Sequence, residues 1–385
     1  MTPRSIRRPL PTLGLTALLA TLLSACGGGG TTDAAAAAQD APTDAAAAAR
    51  APRPQPAPTL ATVGQRLFDE TRLSASGKLA CASCHAEAQG HADPAGGFLP
   101  LGGLDGTHVG LRSSPSLRYL DQAGAFRFDA QGRAHGGLFW DGRASSRADQ
   151  ARGPLFNADE IANTDAADLA TRLRALPYAA DLRTAAGLPA SASDDQLVDA
   201  AVTALARFQA DDSRFHAFTS KFDAVQDGRA SFTAQEQRGL AAFNDPQRGN
   251  CASCHDSRPA AGLGRALFTN FSYHALGVPR NQSAATADPA FFDLGLCGPQ
   301  RADLAARTEL CGQFRTPSLR NVALTAPYFH NASFAALEDV VAFYATRDLD
   351  PTRWYPVVAG QVQRYNDLPA ALRTNVHQGA PFRRA

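Results

Sequence analysis

The five-residue segment CASCH occurs twice in this sequence, at residues 81–85 and 251–255. Two cysteines separated by two residues could form a zinc knuckle or a thioredoxin-type redox pair. The histidine that follows favours another chemistry. Cysteines at positions i and i+3 lie on one face of a helical turn, so both thiols can reach the vinyl groups of one porphyrin.

The imidazole after the second cysteine can then bind the iron of that porphyrin. Zinc would need further cysteine or histidine ligands, and neither segment has a second CxxC nearby. We therefore predict two covalently attached c-type haems. The predicted attachment and proximal ligand residues are Cys81, Cys84, His85, Cys251, Cys254 and His255.

The ligand on the other face of each iron indicates whether the protein is an electron carrier or an enzyme. An electron carrier has ligands on both faces of each iron, whereas an enzyme that uses peroxide needs an open or openable position. The only methionine is Met1, which leaves with the export signal described below, so the mature chain has no methionine ligand. Histidine and tyrosine remain as ligands. Tyr344 lies on a predicted helix within residues 329–348, where its spacing alone also fits an ordinary packed ring. The residues predicted to share its apolar face are Leu337, Val340 and Val341.

The sequences that lead into the two CASCH segments also repeat. Residues 63–85 and 236–255 each run from an apolar helix that contains glycine, through a polar loop, into the segment. Thr233–Glu236 is typical of a capping box, and residues 196–208 carry apolar side chains at helical spacing. Few strands are indicated, so we predict a mainly α fold in which two cytochrome c-like haem domains pack against each other. The predicted domains are residues 59–225 and residues 226–385.

The start of the chain predicts export. Arginines in the first eight residues precede the apolar stretch Leu10–Leu23, which is too short to span a bilayer comfortably. The stretch ends in LSAC, which is similar to the lipobox of bacterial lipoproteins and implies cleavage before Cys26 and acylation of its thiol. A plain secretory signal is the alternative. By the same resemblance, Gly27 implies that the lipoprotein is sorted to the outer membrane, facing the periplasm.

The composition of the chain limits the classes of protein to which it can belong. The 385 residues carry a net charge of +1, which indicates no nucleic-acid partner, and 44% are hydrophobic, as in a globular protein. After the signal of residues 1–25, residues 26–58 lack apolar periodicity and predict a flexible tether. Cys297 and Cys311 are the remaining cysteines, and in an oxidising compartment we expect them to form a disulfide rather than two free thiols.

Residues 60–380 resemble the bacterial dihaem cytochrome c peroxidase and MauG family. Besides the CASCH segments, the resemblance lies in residues 136–160, GGLFWDGRASSRADQARGPLFNADE, and residues 314–334, FRTPSLRNVALTAPYFHNASF. It implies that the N-terminal haem reacts with hydrogen peroxide and that the C-terminal haem relays electrons.

The resemblance also implies roles for single residues. Trp140 matches the tryptophan between the two haems, and Glu160 matches the distal acid that moves a proton between the oxygens of peroxide. Gln150 and Pro154 match positions that line the same pocket, whereas Arg143 matches a structural or propionate-pairing cation.

Tyr344 occupies the position that is the methionine ligand in cytochrome c peroxidases and a tyrosine ligand in the MauG branch. The absence of any mature methionine agrees with the tyrosine ligand. A phenolate favours oxidised iron, so the resemblance implies a MauG-like enzyme in which peroxide oxidises both haems and a separate substrate is then oxidised.

Three departures from the family pattern qualify this prediction. Ser113 stands where an asparagine usually contributes to a calcium site, although Thr325 and Pro327 match other calcium positions. No histidine is in register to cap the N-terminal haem, for which His108 and His91 are the candidates, and we expect an open or loosely held iron there. Residues 119–135 are an apparent insertion before the tryptophan motif.

Three functions therefore follow from the sequence. The first is a MauG-like dihaem oxidase that passes oxidising equivalents to a protein or another exported reductant. The second is a cytochrome c peroxidase that removes peroxide with electrons from a small cytochrome or copper protein. The third is a dihaem electron carrier without enzyme activity.

Overall fold

A computed structural model describes residues 56–94, 99–281 and 288–382. The predicted signal peptide, the lipid attachment site Cys26 and nearly all of the predicted tether lie outside these residues. None of the helices in the described ranges has the length and apolar character to cross a membrane. The chain from Pro56 onwards forms one compact unit, so a domain boundary between residues 225 and 226 stays a prediction.

The described chain is mainly helical, as predicted, with very short antiparallel strand pairs. The helices are α1 (Leu60–Phe68), α2 (Cys81–Cys84), α3 (Arg147–Phe156), α4 (Ala166–Ala175), α5 (Ala179–Ala186), α6 (Asp194–Asp211), α7 (Lys221–Gln226), α8 (Ala234–Asn244) and α9 (Leu337–Thr346). The strands are β1 (Leu101–Gly102), β2 (His108–Val109), β3 (Arg127–Phe128), β4 (Ala134–His135), β5 (Tyr273–His274), β6 (Phe314–Arg315), β7 (Val357–Val358) and β8 (Gln361–Val362). They pair as β1–β2, β3–β4, β5–β6 and β7–β8.

The N-terminal part is a helical core built around α6. Its apolar spacing predicts the helix correctly, and the observed helix begins after the cap Ser193, whose hydroxyl accepts a hydrogen bond from the Gln196 amide. Helix α1 crosses α6 so closely that a Cβ on Gly64 would lie 1.9 Å from the carbonyl oxygen of Ala204. Fully buried side chains such as Leu205 fill the contact, each contributing about 1.5–3 kcal/mol.

The C-terminal part is mostly loops, and its helices are placed by local signals. The predicted capping box starts α8, since the Glu236 amide donates to the Thr233 hydroxyl at 3.2 Å and the Thr233 amide donates back at 2.7 Å. In α9, Phe343 enters the core with no exposure, whereas Val341 of the predicted apolar face is 63% exposed. That face instead borders a cavity, described below, because Leu337 and Val340 line it together with Val341.

The two parts are joined by buried ion pairs. Arg112 donates to both carboxylate oxygens of Asp293, at 2.6 and 2.8 Å, and to Asp141 at 2.7 Å. Nearby, Cys297 and Cys311 form a disulfide. The residues of the apparent insertion form the β3–β4 hairpin, whose apolar side chains pack against the loop that this disulfide closes.

Candidate active site

The first CASCH segment lies in the wall of a cavity of about 140 Å³. Cys81, Cys84 and His85 all line it. The His85 Nδ1 donates to the carbonyl oxygen of His91 at 3.1 Å, which fixes the ring and keeps Nε2 as the ligand atom. Burial lowers the pKa of His85 to about 4, so the imidazole is neutral, as a metal ligand must be.

The second CASCH segment repeats this arrangement in a larger cavity of about 380 Å³, lined by Cys251, Cys254 and His255. The His255 Nδ1 donates to the carbonyl oxygen of Phe268 at 3.0 Å, and burial lowers the pKa of His255 to about 4. Both segments therefore present a fixed, neutral imidazole beside two thiols.

The thiols fit thioether attachment better than zinc binding or redox exchange. All four are free, and burial raises the pKa of Cys81 and of Cys84 to about 12, so neither is a ready thiolate. Across the described residues, no group of three histidine, cysteine or acidic side chains could hold a metal ion by itself. The donor sets thus fit two haems, each with one protein imidazole.

Trp140 is part of the wall of both cavities. Its Nε1 donates to the carbonyl oxygen of Ser113 at 2.8 Å, and its own carbonyl oxygen accepts from the Arg315 amide at 2.8 Å. The indole is therefore held between the two cavities by residues from both parts of the chain.

The predicted distal residues Gln150, Pro154 and Glu160 all line the first cavity. Gln150 and Pro154 lie one turn apart on α3. Glu160 follows that helix, and its Oε1 accepts a hydrogen bond of 2.6 Å from Asn157 Nδ2. Burial raises the pKa of the Glu160 carboxyl, against the opposing effects of Asn157 and the Arg143 charge.

The β1–β2 hairpin covers this acidic segment, a feature that the sequence analysis missed. The Gly103 amide donates to the Glu160 carbonyl oxygen at 2.8 Å. A Cβ on Gly102 would lie 2.1 Å from the carbonyl oxygen of Asp159, so only glycine permits this approach. The adjacent glycines were the available signal, but they did not indicate which segment the hairpin covers.

Neither candidate capping histidine lines the first cavity. His108 is half exposed, and its Nδ1 lies 3.1 Å from Asp159 Oδ1. His91 is 2% exposed, stacks on Phe215 at 4.1 Å between ring centroids, and accepts a hydrogen bond from Arg118. His91 lies behind His85, because its carbonyl oxygen accepts the hydrogen bond from His85 Nδ1.

Tyr344 lines the second cavity together with His255, and also with His274 and His377. The His274 Nε2 contacts the Ser272 hydroxyl at 2.8 Å, and the His377 Nε2 contacts the Ala380 carbonyl oxygen at 3.3 Å. No hydrogen bond to the Tyr344 hydroxyl is found within the part of the chain that the structure describes. Its ring stacks on Phe382 at 5.3 Å, and burial raises the pKa of the phenol.

The residues matched to a calcium site, Ser113, Thr325 and Pro327, all belong to the wall of the second cavity. The Ser113 hydroxyl donates to the Phe329 carbonyl oxygen at 3.0 Å. This bond joins the two parts of the chain directly. Arg143, the predicted structural or propionate-pairing cation, contacts the Asp141 carboxylate at 2.9 Å.

Comparison with known proteins agrees with this site. A family model described as di-haem cytochrome c peroxidase matches residues 58–231. The methylamine utilization protein MauG of Paracoccus denitrificans is 38% identical over 292 residues, which cover 74% of this chain and 74% of that protein. The cytochrome c551 peroxidase of Nitrosomonas europaea is 30% identical over 286 residues, covering 73% of this chain and 71% of that protein.

A solved structure extends the similarity to the fold. The diheme peroxidase BthA of Burkholderia thailandensis is 38% identical, with a TM-score of 0.76, and the match covers 86% of this chain and 81% of that chain. Together with the two cavities that carry CxxCH segments, these matches make the chain a member of the di-haem cytochrome c peroxidase and MauG family of oxidoreductases, which bind two c-type haems.

Proposed function

We propose that this chain reacts with hydrogen peroxide at the first cavity and passes the oxidising equivalents through Trp140 and the second haem to an external electron donor, in the manner of MauG. The observation that carries the proposal is that Trp140 belongs to both cavity walls. When bound, the two haems supply the one-electron chemistry that peroxide reduction needs.

Glu160 is the proposed proton carrier. Asn157 holds Oε1 at 2.6 Å, which leaves Oε2 to accept a proton from one oxygen of hydrogen peroxide. The same carboxyl then gives that proton to the other oxygen, so that water is the leaving group. Gln150 and Pro154 shape the wall of the cavity around the peroxide.

Trp140 is the proposed relay between the two haems. Its ring cannot rotate freely, because Nε1 donates a hydrogen bond to the Ser113 carbonyl oxygen and the Trp140 carbonyl oxygen accepts one from the Arg315 amide. A fixed aromatic ring in both walls shortens the gap that an electron must cross.

Tyr344 is the proposed second ligand in the second cavity. Its hydroxyl has no competing partner among the described residues, whereas three other histidines in the same wall, His274, His330 and His377, have contacts at Nε2. Burial keeps the phenol protonated in the absence of a cation, and a metal ion reverses that preference. An anionic ligand favours the oxidised haem, which supports the MauG-like function.

Removal of peroxide with electrons from a small cytochrome or copper protein is the second candidate, and the similarity to cytochrome c551 peroxidases supports it. It shares the first chemical step and differs in the electron donor. A purely electron-transferring protein does not explain Glu160 in the first cavity. It also does not explain why, among the described residues, His85 is the only histidine in that cavity wall.

We further propose export to the periplasm with a lipid anchor at Cys26, on the strength of the sequence alone. A calcium ion bound through oxygens of Thr325 and Pro327 is also part of the proposal, with a smaller contribution from Ser113, because its hydroxyl donates to the Phe329 carbonyl oxygen.

Electron paramagnetic resonance of the purified holoprotein, before and after one equivalent of peroxide, tests the function. We expect one high-spin and one low-spin ferric signal, both lost when peroxide is added. Activity that develops only after partial reduction would support the cytochrome c peroxidase function instead. Two low-spin signals that do not respond to peroxide would exclude both enzymatic functions.

A further inference from the structure

Arg315 places a positive charge between the two cavities. It lies on β6, is 4% exposed, and lines both cavity walls. Its Nε donates to the carbonyl oxygen of Phe139 at 3.0 Å, and its amide donates to that of Trp140 at 2.8 Å. Its buried Nη1 has no hydrogen-bond partner among the described residues.

The other two arginines that line the first cavity are neutralised by carboxylates. Arg112 pairs with Asp293 and Asp141, and Arg143 pairs with Asp141. Within residues 56–94, 99–281 and 288–382, Arg315 forms no such ion pair. A buried charge without a counterion is strongly unfavourable, so an anion from outside the polypeptide should face this guanidinium.

We propose that Arg315 binds a haem propionate at the junction of the two cavities, beside Trp140. A porphyrin carries its own carboxylates, and a guanidinium suits them because its N–H groups match the two carboxylate oxygens. The propionate can come from the haem of either cavity, and the experiment below distinguishes them. The proposal rests on the proposed function only in requiring that two haems are bound.

The contact has two consequences for the site. A positive charge beside a haem stabilises its reduced state, so Arg315 raises the reduction potential of the haem that it contacts. Because the same side chain holds the Phe139 carbonyl oxygen, it also links the position of that haem to the backbone of the proposed relay residue.

A redox titration of the holoprotein, with each haem followed by its own optical and paramagnetic signals, tests the proposal. Arg315→Gln should lower the midpoint potential of one haem by about 59 mV, which corresponds to a tenfold change in a one-electron equilibrium. The haem that shifts is the one whose propionate is bound. Unchanged midpoints at both haems would overturn the proposal.

Arg301→Gln is the matched control. Arg301 is equally buried at 6% exposure, but it pairs with Asp303 at 2.9 Å and lines neither cavity. Its replacement should leave both midpoints in place. An equal shift in this variant would attribute the effect to general loss of packing and contradict the proposal.

Arg315→Lys is a second variant, which tests the proposal even if Arg315→Gln does not take up haem. Lysine keeps the charge and loses the planar two-point contact, so the propionate bending bands in resonance Raman spectra should shift while the midpoints stay near those of the wild type. Unshifted bands would contradict the proposal. None of these measurements uses peroxide, so a protein that is inert to peroxide would refute the proposed function and leave this result standing.

Discussion

Replacing Glu160 with glutamine isolates the proposed proton transfer, because the change in shape is small. Asn157 Nδ2 donates to Oε1 at 2.6 Å, and the side-chain oxygen of glutamine can accept the same bond. The contact of Gly103 with the Glu160 backbone is independent of the side chain. The substitution therefore removes the carboxylate that accepts a proton and leaves the cavity wall in place.

The expected loss follows from the general size of acid–base catalysis. A positioned proton carrier contributes about 10²–10⁴-fold in rate, which is about 3–5 kcal/mol of the activation barrier. Haem attachment should stay normal. Among the described residues, the Glu160 side chain forms no hydrogen bond with the thiols or histidines of either CASCH segment.

The pH dependence gives an independent signature. Glu160 must be ionised to accept the peroxide proton, and burial raises the pKa of its carboxyl above the ordinary value of 4.5. The rate of the wild type should therefore fall as the pH drops through this raised pKa. Glutamine does not titrate, so the variant should lose this part of the pH profile.

Stopped-flow mixing of the holoprotein with peroxide, followed by the haem absorbance, measures the step directly. Asp159→Asn is the matched control, since Asp159 is the adjacent carboxylate and its side chain is 53% exposed. We expect the control to keep the rate of the wild type at neutral pH and to move the fall in rate to lower pH, because the Asp159 charge is one of the causes that raise the pKa of Glu160. A Glu160→Gln variant that reacts as fast as the wild type would refute the proton-carrier role.

Three further predictions concern the relay, the second ligand and the disulfide. Trp140→Phe should leave the first reaction with peroxide in place and slow electron exchange between the haems by about tenfold or more, as measured by the delay between the two haem signals; synchronous signals would contradict the relay. Tyr344→Phe should change the low-spin spectrum, raise the midpoint of the second haem and abolish the stable oxidised state, whereas an unaltered spectrum would mean that another residue is the ligand. Replacing both Cys297 and Cys311, which have a sequence separation of 14, with alanine should lower the free energy of unfolding by about 3 kcal/mol in a denaturant titration. An unchanged midpoint and slope would show that the loop is held by other contacts.

The features that the sequence predicts best are those that depend on neighbouring residues. The CASCH spacing, the apolar period of α6 and the Thr233 cap each involve a single turn or a single helix, and the structure has all three. Tyr344 also lies on the predicted helix. Its role as a ligand is a family resemblance that stays a prediction.

The features that the sequence could not predict depend on contacts between distant segments. The Arg112–Asp293 ion pair joins residues that are far apart in the chain. The position of Arg315 in the walls of both cavities likewise depends on segments that are distant in sequence. The exposure of Val341 has a related cause. An apolar helix face predicts burial against something, but the period does not distinguish a protein core from the wall of a cofactor cavity.

The most direct test of the account is a titration of the fully oxidised holoprotein with one equivalent of hydrogen peroxide and no reductant, followed by counting the electrons needed to restore the starting spectrum. We predict that both ferric signals disappear and that two electrons per chain restore them, because two haems share the oxidising equivalents of one peroxide. Signals that stay unchanged, or a response confined to one haem, would contradict the account.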